Sequence, residues 1–351
     1  MSDNNSKVRL TVLNSLEKFK ASLEKQKLEL SNPTPKAEPS STTETNNSGF
    51  HDELMFLLNP KKQNISNSAL NDGDILKKDF DKVRETVSYT ELSNWVECAW
   101  RHKLKYLNGI ELEEDGPSIH TEYGQVMHDA LEYFLEHRTF EPYDQIRAKL
   151  KAMLDPLSES ALKKQDPVAF VASIEPVLQQ IPAFMDATFG PNWKFHAAEL
   201  PLFEPIDGEA DKMFKGFVDA MFTVPKPPSS TTIKRNPDEL WIVDWKCSGS
   251  FWSASKVEEK KLQLVLYKHY ISKKLNIDPR DIRTGFVILK RSVSPSKNGN
   301  IRLEEVNITA KTLESALAQL SRFFISVKKG FFPKNRDSCK FCVYKGTQHC
   351  I

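Results

Sequence analysis

No stretch of this chain approaches the ~18 consecutive apolar residues that a membrane span requires, and Met1 to Lys7 is polar where a secretory signal carries its apolar core. These absences argue against a membrane protein and give the expectation of an intracellular, cytoplasmic one. Strong net charge is missing too. Lys plus Arg total 49 against 47 Asp plus Glu, leaving +2 at neutral pH, so no field over the whole surface draws the chain to nucleic acid or acidic lipid. Any such contact has to be a local patch. Cysteine is scarce: the chain has five, an odd number that does not suit a disulfide framework. Three of them, Cys339, Cys342 and Cys350, crowd the C-terminus, a pattern that fits metal ligation in a reducing compartment better. There is no internal repeat.

What is present is enough apolar sequence for a sizeable core, 39% of 351 residues, once a polar N-terminal tail over 1–85 is set aside. In that tail, residues 7–30 place Val8, Val12, Leu16, Phe19, Leu23 and Leu30 at helical spacing, which predicts one amphipathic helix. Residues 31–48 form a Pro/Ser/Thr/Asn linker, and a short apolar island follows over 50–58. The two apolar segments read either as surface elements packed on the main domain or as docking peptides for a partner protein.

Order is expected from about residue 86. Ser88-Tyr89-Thr90-Glu91 has the capping-box pattern and opens a helix carrying Leu92, Trp95 and Cys98, followed by the basic, aromatic run Trp100 to Tyr106. A second helix over about 121–138 holds His128 beside an apolar stripe of Met127, Ala130, Leu131 and Phe134. Between about 140 and 190 helical patterns alternate with breaks expected at Pro156, Pro167, Pro176 and Pro182. The period then changes. Phe195–Phe203, Met213–Val224, Glu239–Lys246 and Ile282–Lys290 are rich in β-branched and aromatic residues and predict strands of one sheet. Helices over about 255–275 and 309–328 complete the pattern, the first placing Gln263 and Tyr267 four apart on one face.

Chemistry enters at Trp241-Ile242-Val243-Asp244-Trp245-Lys246, where residues two apart on a strand point together and Asp244 therefore stands beside Lys246. A hairpin of the second and third strands brings Asp219, in Gly216-Phe217-Val218-Asp219, close to Asp244. Two aspartates so placed call for a hard cation with oxygen ligands, Mg²⁺ or Mn²⁺. A lysine beside it orients or deprotonates water and stabilises charge on a phosphate, which is the equipment of phosphodiester hydrolysis. With Glu199 upstream and Gln263-x-x-x-Tyr267 downstream, the ordered set resembles the RecB-like branch of the PD-(D/E)XK nucleases. The resemblance covers about 86–351. It implies a restriction-endonuclease-like α/β core, with a mixed central sheet flanked by helices and a helical insert over 140–190. It also implies His128 and Asp219 as metal ligands, Asp244 bridging metal and water, and Lys246 as the catalytic lysine. Gln263 and Tyr267 would position that lysine or the DNA backbone, and Glu199 would be a further acidic member.

Cys339-Lys340-Phe341-Cys342 with Cys350, in the tail 330–351, supplies three thiolates, and Cys98 is the natural fourth donor because Cys247 belongs to the strand of the reaction centre. Ligand chemistry alone suits zinc and an iron–sulfur cluster equally. The similarity to AddB-type and CRISPR-associated relatives, with one cysteine before the core and three after it, implies a 4Fe-4S cluster; His349 keeps zinc as the alternative. The expected function is a metal-dependent DNA exonuclease acting on single strands or free ends in repair, recombination or replication. The basic run at Trp100–Tyr106 and Lys256, Lys260, Lys261 and Lys268 are candidate DNA contacts. The rival readings are a non-catalytic DNA-binding or assembly subunit that keeps the fold, and a zinc-bound endonuclease of the same superfamily.

Overall fold

The computed structural model describes residues 86–112, 116–226, 238–293 and 299–351, so the predicted helix 7–30 and the island 50–58 lie outside the described residues. The elements run β1 (Thr86–Ser88), α1 (Tyr89–Glu97), α2 (Ala99–His102), a π-turn (Lys103–Leu107), α3 (Ile119–His137), α4 (Tyr143–Leu154), α5 (Glu159–Leu162), α6 (Pro167–Leu178) and α7 (Ile181–Phe189). They continue with β2 (Lys194–Ile206), β3 (Glu209–Pro225), β4 (Asp238–Ser248), α8 (Ala254–Lys260), α9 (Leu262–Leu275), β5 (Ile282–Lys290), β6 (Ile301–Glu305) and α10 (Ala310–Lys329). Short 3₁₀ turns cover Pro279–Asp281 and Arg336–Phe341. Among the described residues no single helix is long and apolar enough to cross a membrane.

The sheet is mixed, as expected, with order β1-β3-β4-β5-β6 and β2 added on the other side of β3. β2 and β4 run antiparallel to β3, β1 runs parallel to it, β4 and β5 are parallel, and β6 closes the edge antiparallel to β5. The parallel β4–β5 pair needs a crossover, which α8 and α9 supply. Alternation along β4 divides the interior into two layers. Leu240 and Ile242 face α9 and α10, packing with Leu264, Ile271, Leu320 and Phe323. Trp241, Val243 and Trp245 face α3 to α7, packing with Met127, Leu131, Phe134 and Ile174. Each such large apolar side chain removed from water contributes ~1.5–3 kcal/mol, so both sides of the sheet are firmly held.

Four local expectations are corrected. Cys98 is not within the first helix. It takes an extended conformation (φ −163°, ψ 109°) between α1 and α2, which frees its sulfur from a helix face. Pro176 does not end a helix: it lies inside α6, which begins with Pro167 at its first turn, where a missing N–H costs nothing. The predicted helix over 255–275 is two helices meeting at Lys261, so Lys256, Lys260 and Lys261 are not on the helix that carries Gln263. Strands β1 and β6, unforeseen, are short edge segments; β6 is Ile-Arg-Leu-Glu-Glu, charged as exposed edges commonly are.

Candidate active site

The site forms where the sheet forks. The β3–β4 ladder runs from Pro225↔Asp238 to Ala220↔Val243, and further along the same edge β3 takes β1 as its partner, at Met213–Lys215. Asp219 and Asp244 are the first residues past the end of the β3–β4 ladder. At this level the facing pattern also breaks. Val218 and Met221 both face the α9 layer while Ala220 faces the α3 layer, and across on β2 Glu199 adopts a left-handed φ of 46°. Such a conformation is uncommon for a non-glycine residue. The break lets the carboxylates of Glu199 and Asp219 meet His128, which reaches in from α3.

That helix is set by a capping box: Ser118 Oγ accepts from Thr121 N at 3.4 Å, and Thr121 Oγ1 accepts from Ser118 N at 2.8 Å. His128 Nε2 lies 3.0 Å from the carbonyl of Trp245. An N–H there donates to that carbonyl and turns Nδ1 toward the acids, 3.6 Å from Asp219 Oδ2 and 3.7 Å from Glu199 Oε1. Fixing one ring nitrogen on a backbone carbonyl while the other faces a ligand position is the usual way a metal-binding imidazole is oriented. Asp219 Oδ2 in turn accepts from Trp245 N at 2.8 Å, so the backbone of β4 holds both side chains. Ligand atoms of His128, Glu199 and Asp219 lie within 4.8 Å of one another, the arrangement among the described residues that fits a metal ion.

Asp244 stands next to this group rather than in it. It is fully buried; Oδ1 accepts from Gln263 Nε2 at 2.6 Å, and Oδ2 pairs with Lys246 Nζ at 2.6 Å. Gln263 Nε2 also lies 3.3 Å from Tyr267 Oη, and the Tyr267 ring packs against Gly216, where an added Cβ would meet it at 2.9 Å. Gln263 and Tyr267 therefore join α9 to both arms of the fork.

The electrostatics are those of crowded anions in a poorly solvated cleft. Burial, reinforced by the Asp244 charge, pushes the Asp219 carboxyl up to about 7. Burial works against protonation of His128, but Glu199, Asp219 and Asp244 outweigh it and raise its proton affinity. For Lys246 burial again opposes the charge and is overcome by Asp244 and Asp219, so the ammonium is held more firmly than usual. Cys247, next in sequence, is a half-buried thiol that desolvation pushes up to about 12, which leaves it unreactive.

Tyr89 is a neighbour that sequence reasoning missed. Its hydroxyl is raised mainly by burial and feels the charges of Lys260, Lys246 and Asp244; only its place after a helix cap was legible. Three of the four lysines proposed as DNA contacts pair with carboxylates of the chain itself. Lys256 pairs with Glu259, Lys260 with Glu259 and Glu97, and Lys261 with Glu258. In the basic run, His102 is buried against Glu91 at 2.9 Å, while Lys103 and Lys334 cover the Trp100 ring.

The cysteines of the two ends do meet. Cys98, Cys339, Cys342 and Cys350 line one small cavity with Trp100, Leu104 and Tyr344. Asn335 fastens the junction, donating from N to Cys98 Sγ at 3.4 Å and from Nδ2 to the Glu97 carbonyl at 2.8 Å. Tyr344 Oη donates to the Ile110 carbonyl at 2.6 Å.

A mixed sheet between two helical layers, forked over a cluster of carboxylates, a histidine and a lysine, defines a restriction-endonuclease-like domain. The PD-(D/E)XK nuclease superfamily model matches residues 86–347, and the chain belongs to that superfamily. A solved structure from Eubacterium rectale, described as a "Putative exonuclease", is similar at 13% identity and a TM-score of 0.43, covering 79% of this chain and 92% of that one. The search of curated proteins found no match.

Proposed function

We propose that the chain is a metal-dependent deoxyribonuclease of the RecB-like branch, acting as an exonuclease on single-stranded or free DNA ends. The observation that carries this reading is the convergence of His128, Glu199 and Asp219 within 4.8 Å at the fork, beside the Lys246–Asp244 pair. A Mg²⁺ or Mn²⁺ ion held by those three residues would polarise the phosphoryl oxygens and make bound water acidic. The chain's own groups do the rest. Lys246, kept as an ammonium by its two aspartates, stabilises the negative charge that grows on the phosphate as water adds to phosphorus and an ester P–O bond breaks. Asp244, next to the convergent group, is placed to orient that water, and Gln263 and Tyr267 hold the carboxylate in position.

The second part of the proposal is a 4Fe-4S cluster on Cys98, Cys339, Cys342 and Cys350, structural and stapling the two ends of the domain. The donor set fits, being four thiolates around one cavity. Zinc on the same four thiolates is the alternative.

The test is cleavage of end-labelled single- and double-stranded DNA with Mg²⁺ or Mn²⁺. Wild type is expected to degrade it from the ends, and Lys246→Ala to lose at least ~100-fold in rate, the scale of a lost transition-state charge contact, with the fold retained in its circular-dichroism spectrum. Undiminished cleavage by the variant overturns the lysine assignment. Binding without cleavage by wild type would make the chain an assembly subunit instead.

A further inference from the structure

Phe217 is a large aromatic residue left 44% exposed, while Phe214, Val218, Met221 and Phe222 on the same strand are buried. Its neighbours Phe214 and Val218 lie in the layer under α9, so alternation turns Phe217 to the opposite side of β3, the side from which His128 reaches Asp219. It stands two residues, ~7 Å, along the strand from Asp219. Across the ladder it pairs with Pro201, two residues from Glu199 on β2, and the next such pair is Lys215 with Phe203. Pro201, Phe217 and Phe203 thus continue along the paired strands from the two acids, with Lys215 beside them. From behind, the Tyr267 ring lies so close to Gly216 that not even a methyl group fits between them, which fixes the backbone that presents Phe217.

We infer that Phe217 is a substrate-binding residue: its ring stacks on the base of the nucleotide adjoining the scissile phosphate, so that the strand is fed across the β2–β3 face with a base seated on Phe217. This rests on the nuclease reading above and adds to it the means by which an unpaired strand is gripped. The chemistry suits a single strand, because a base in a duplex is stacked on its neighbours and does not offer its face. It is also tolerant of sequence, since every base has a π-face. Continuity with the acid cluster selects this occupant, because a phosphate at the fork puts its own or the neighbouring base within reach of a residue ~7 Å along the strand.

The experiment compares wild type, Phe217→Ala and Phe217→Trp on a single-stranded oligonucleotide and on a series carrying one abasic nucleotide at successive positions around the cleavage point. Phe217→Ala is expected to lower kcat/KM by ~5- to 150-fold, the equivalent of ~1–3 kcal/mol for one stacked base, with unchanged melting temperature, and Phe217→Trp to retain activity. One abasic position is expected to lower the wild-type rate by a similar factor while leaving Phe217→Ala unaffected, because the contact is already lost. Wild-type cleavage with no loss in Phe217→Ala overturns the inference and leaves the nuclease reading standing, as does an equal loss by that variant on intact and all abasic substrates. No cleavage by wild type overturns both.

Discussion

Asp219→Asn in the metal-free protein isolates the energetic cost of the candidate metal site. The Asp219 carboxyl is raised from 3.8 to about 7, first by burial and then by the Asp244 charge. An acid with a raised folded-state pKa holds its proton in the native state while the unfolded chain has already released it. Between about pH 4 and 7 the native state therefore binds the extra proton, and stability falls as pH rises, reaching its full penalty above pH 7. At ~1.4 kcal/mol per tenfold change in proton affinity, the ionised carboxylate costs on the order of 4 kcal/mol at pH 8. Asparagine keeps an acceptor for the Trp245 amide, now 2.8 Å from Oδ2, and removes the charge. Urea denaturation in EDTA at pH 5 and pH 8 is the assay. Wild type is expected to weaken toward pH 8, and Asp219→Asn to be nearly level and more stable there by ~2–4 kcal/mol, while cleaving no DNA. Mn²⁺ should restore wild type at pH 8 and leave the variant unmoved. A variant less stable than wild type at pH 8, or a wild-type profile flat from pH 5 to 8, would refute the reasoning.

Two further predictions concern the supports of the site. Gly216→Ala places a Cβ 2.9 Å from the Tyr267 ring and is expected to cost ~1–3 kcal/mol by overpacking, read as a drop of several degrees in melting temperature. Tyr267→Leu in the same chain should recover the stability but not the DNA cleavage, since the hydroxyl beside Gln263 is gone. Cys98→Ser should abolish the broad visible absorbance of anaerobically purified protein and lower its melting temperature. A colourless wild type with one bound zinc would refute the cluster.

Much of the fold was legible from local pattern. The four strands read from β-branched and aromatic runs fall on β2, β3, β4 and β5, and the hairpin of β3 and β4 is present. β1 and β6 escaped because three- and five-residue edge strands carry no period long enough to read. The single long helix over 255–275 failed because apolar spacing persists across Lys261 although one helix ends at Lys260 and the next begins at Leu262.

At the site, the sequence determined the inventory and its order along the chain: Asp244 and Lys246 two apart on one strand, Gln263 and Tyr267 four apart on one helix, and cysteines at both ends of the domain. These follow from bonded geometry, which fixes where near neighbours point. Only the tertiary structure decided which atoms meet. His128 reaches the backbone of Trp245 from 117 residues away, Glu199 and Asp219 turn toward it through a break in strand alternation, and Asp244 spends its oxygens on Gln263 and Lys246 instead. That sorting depends on where one ladder ends and another begins, a consequence of pairing between distant segments that no local period encodes.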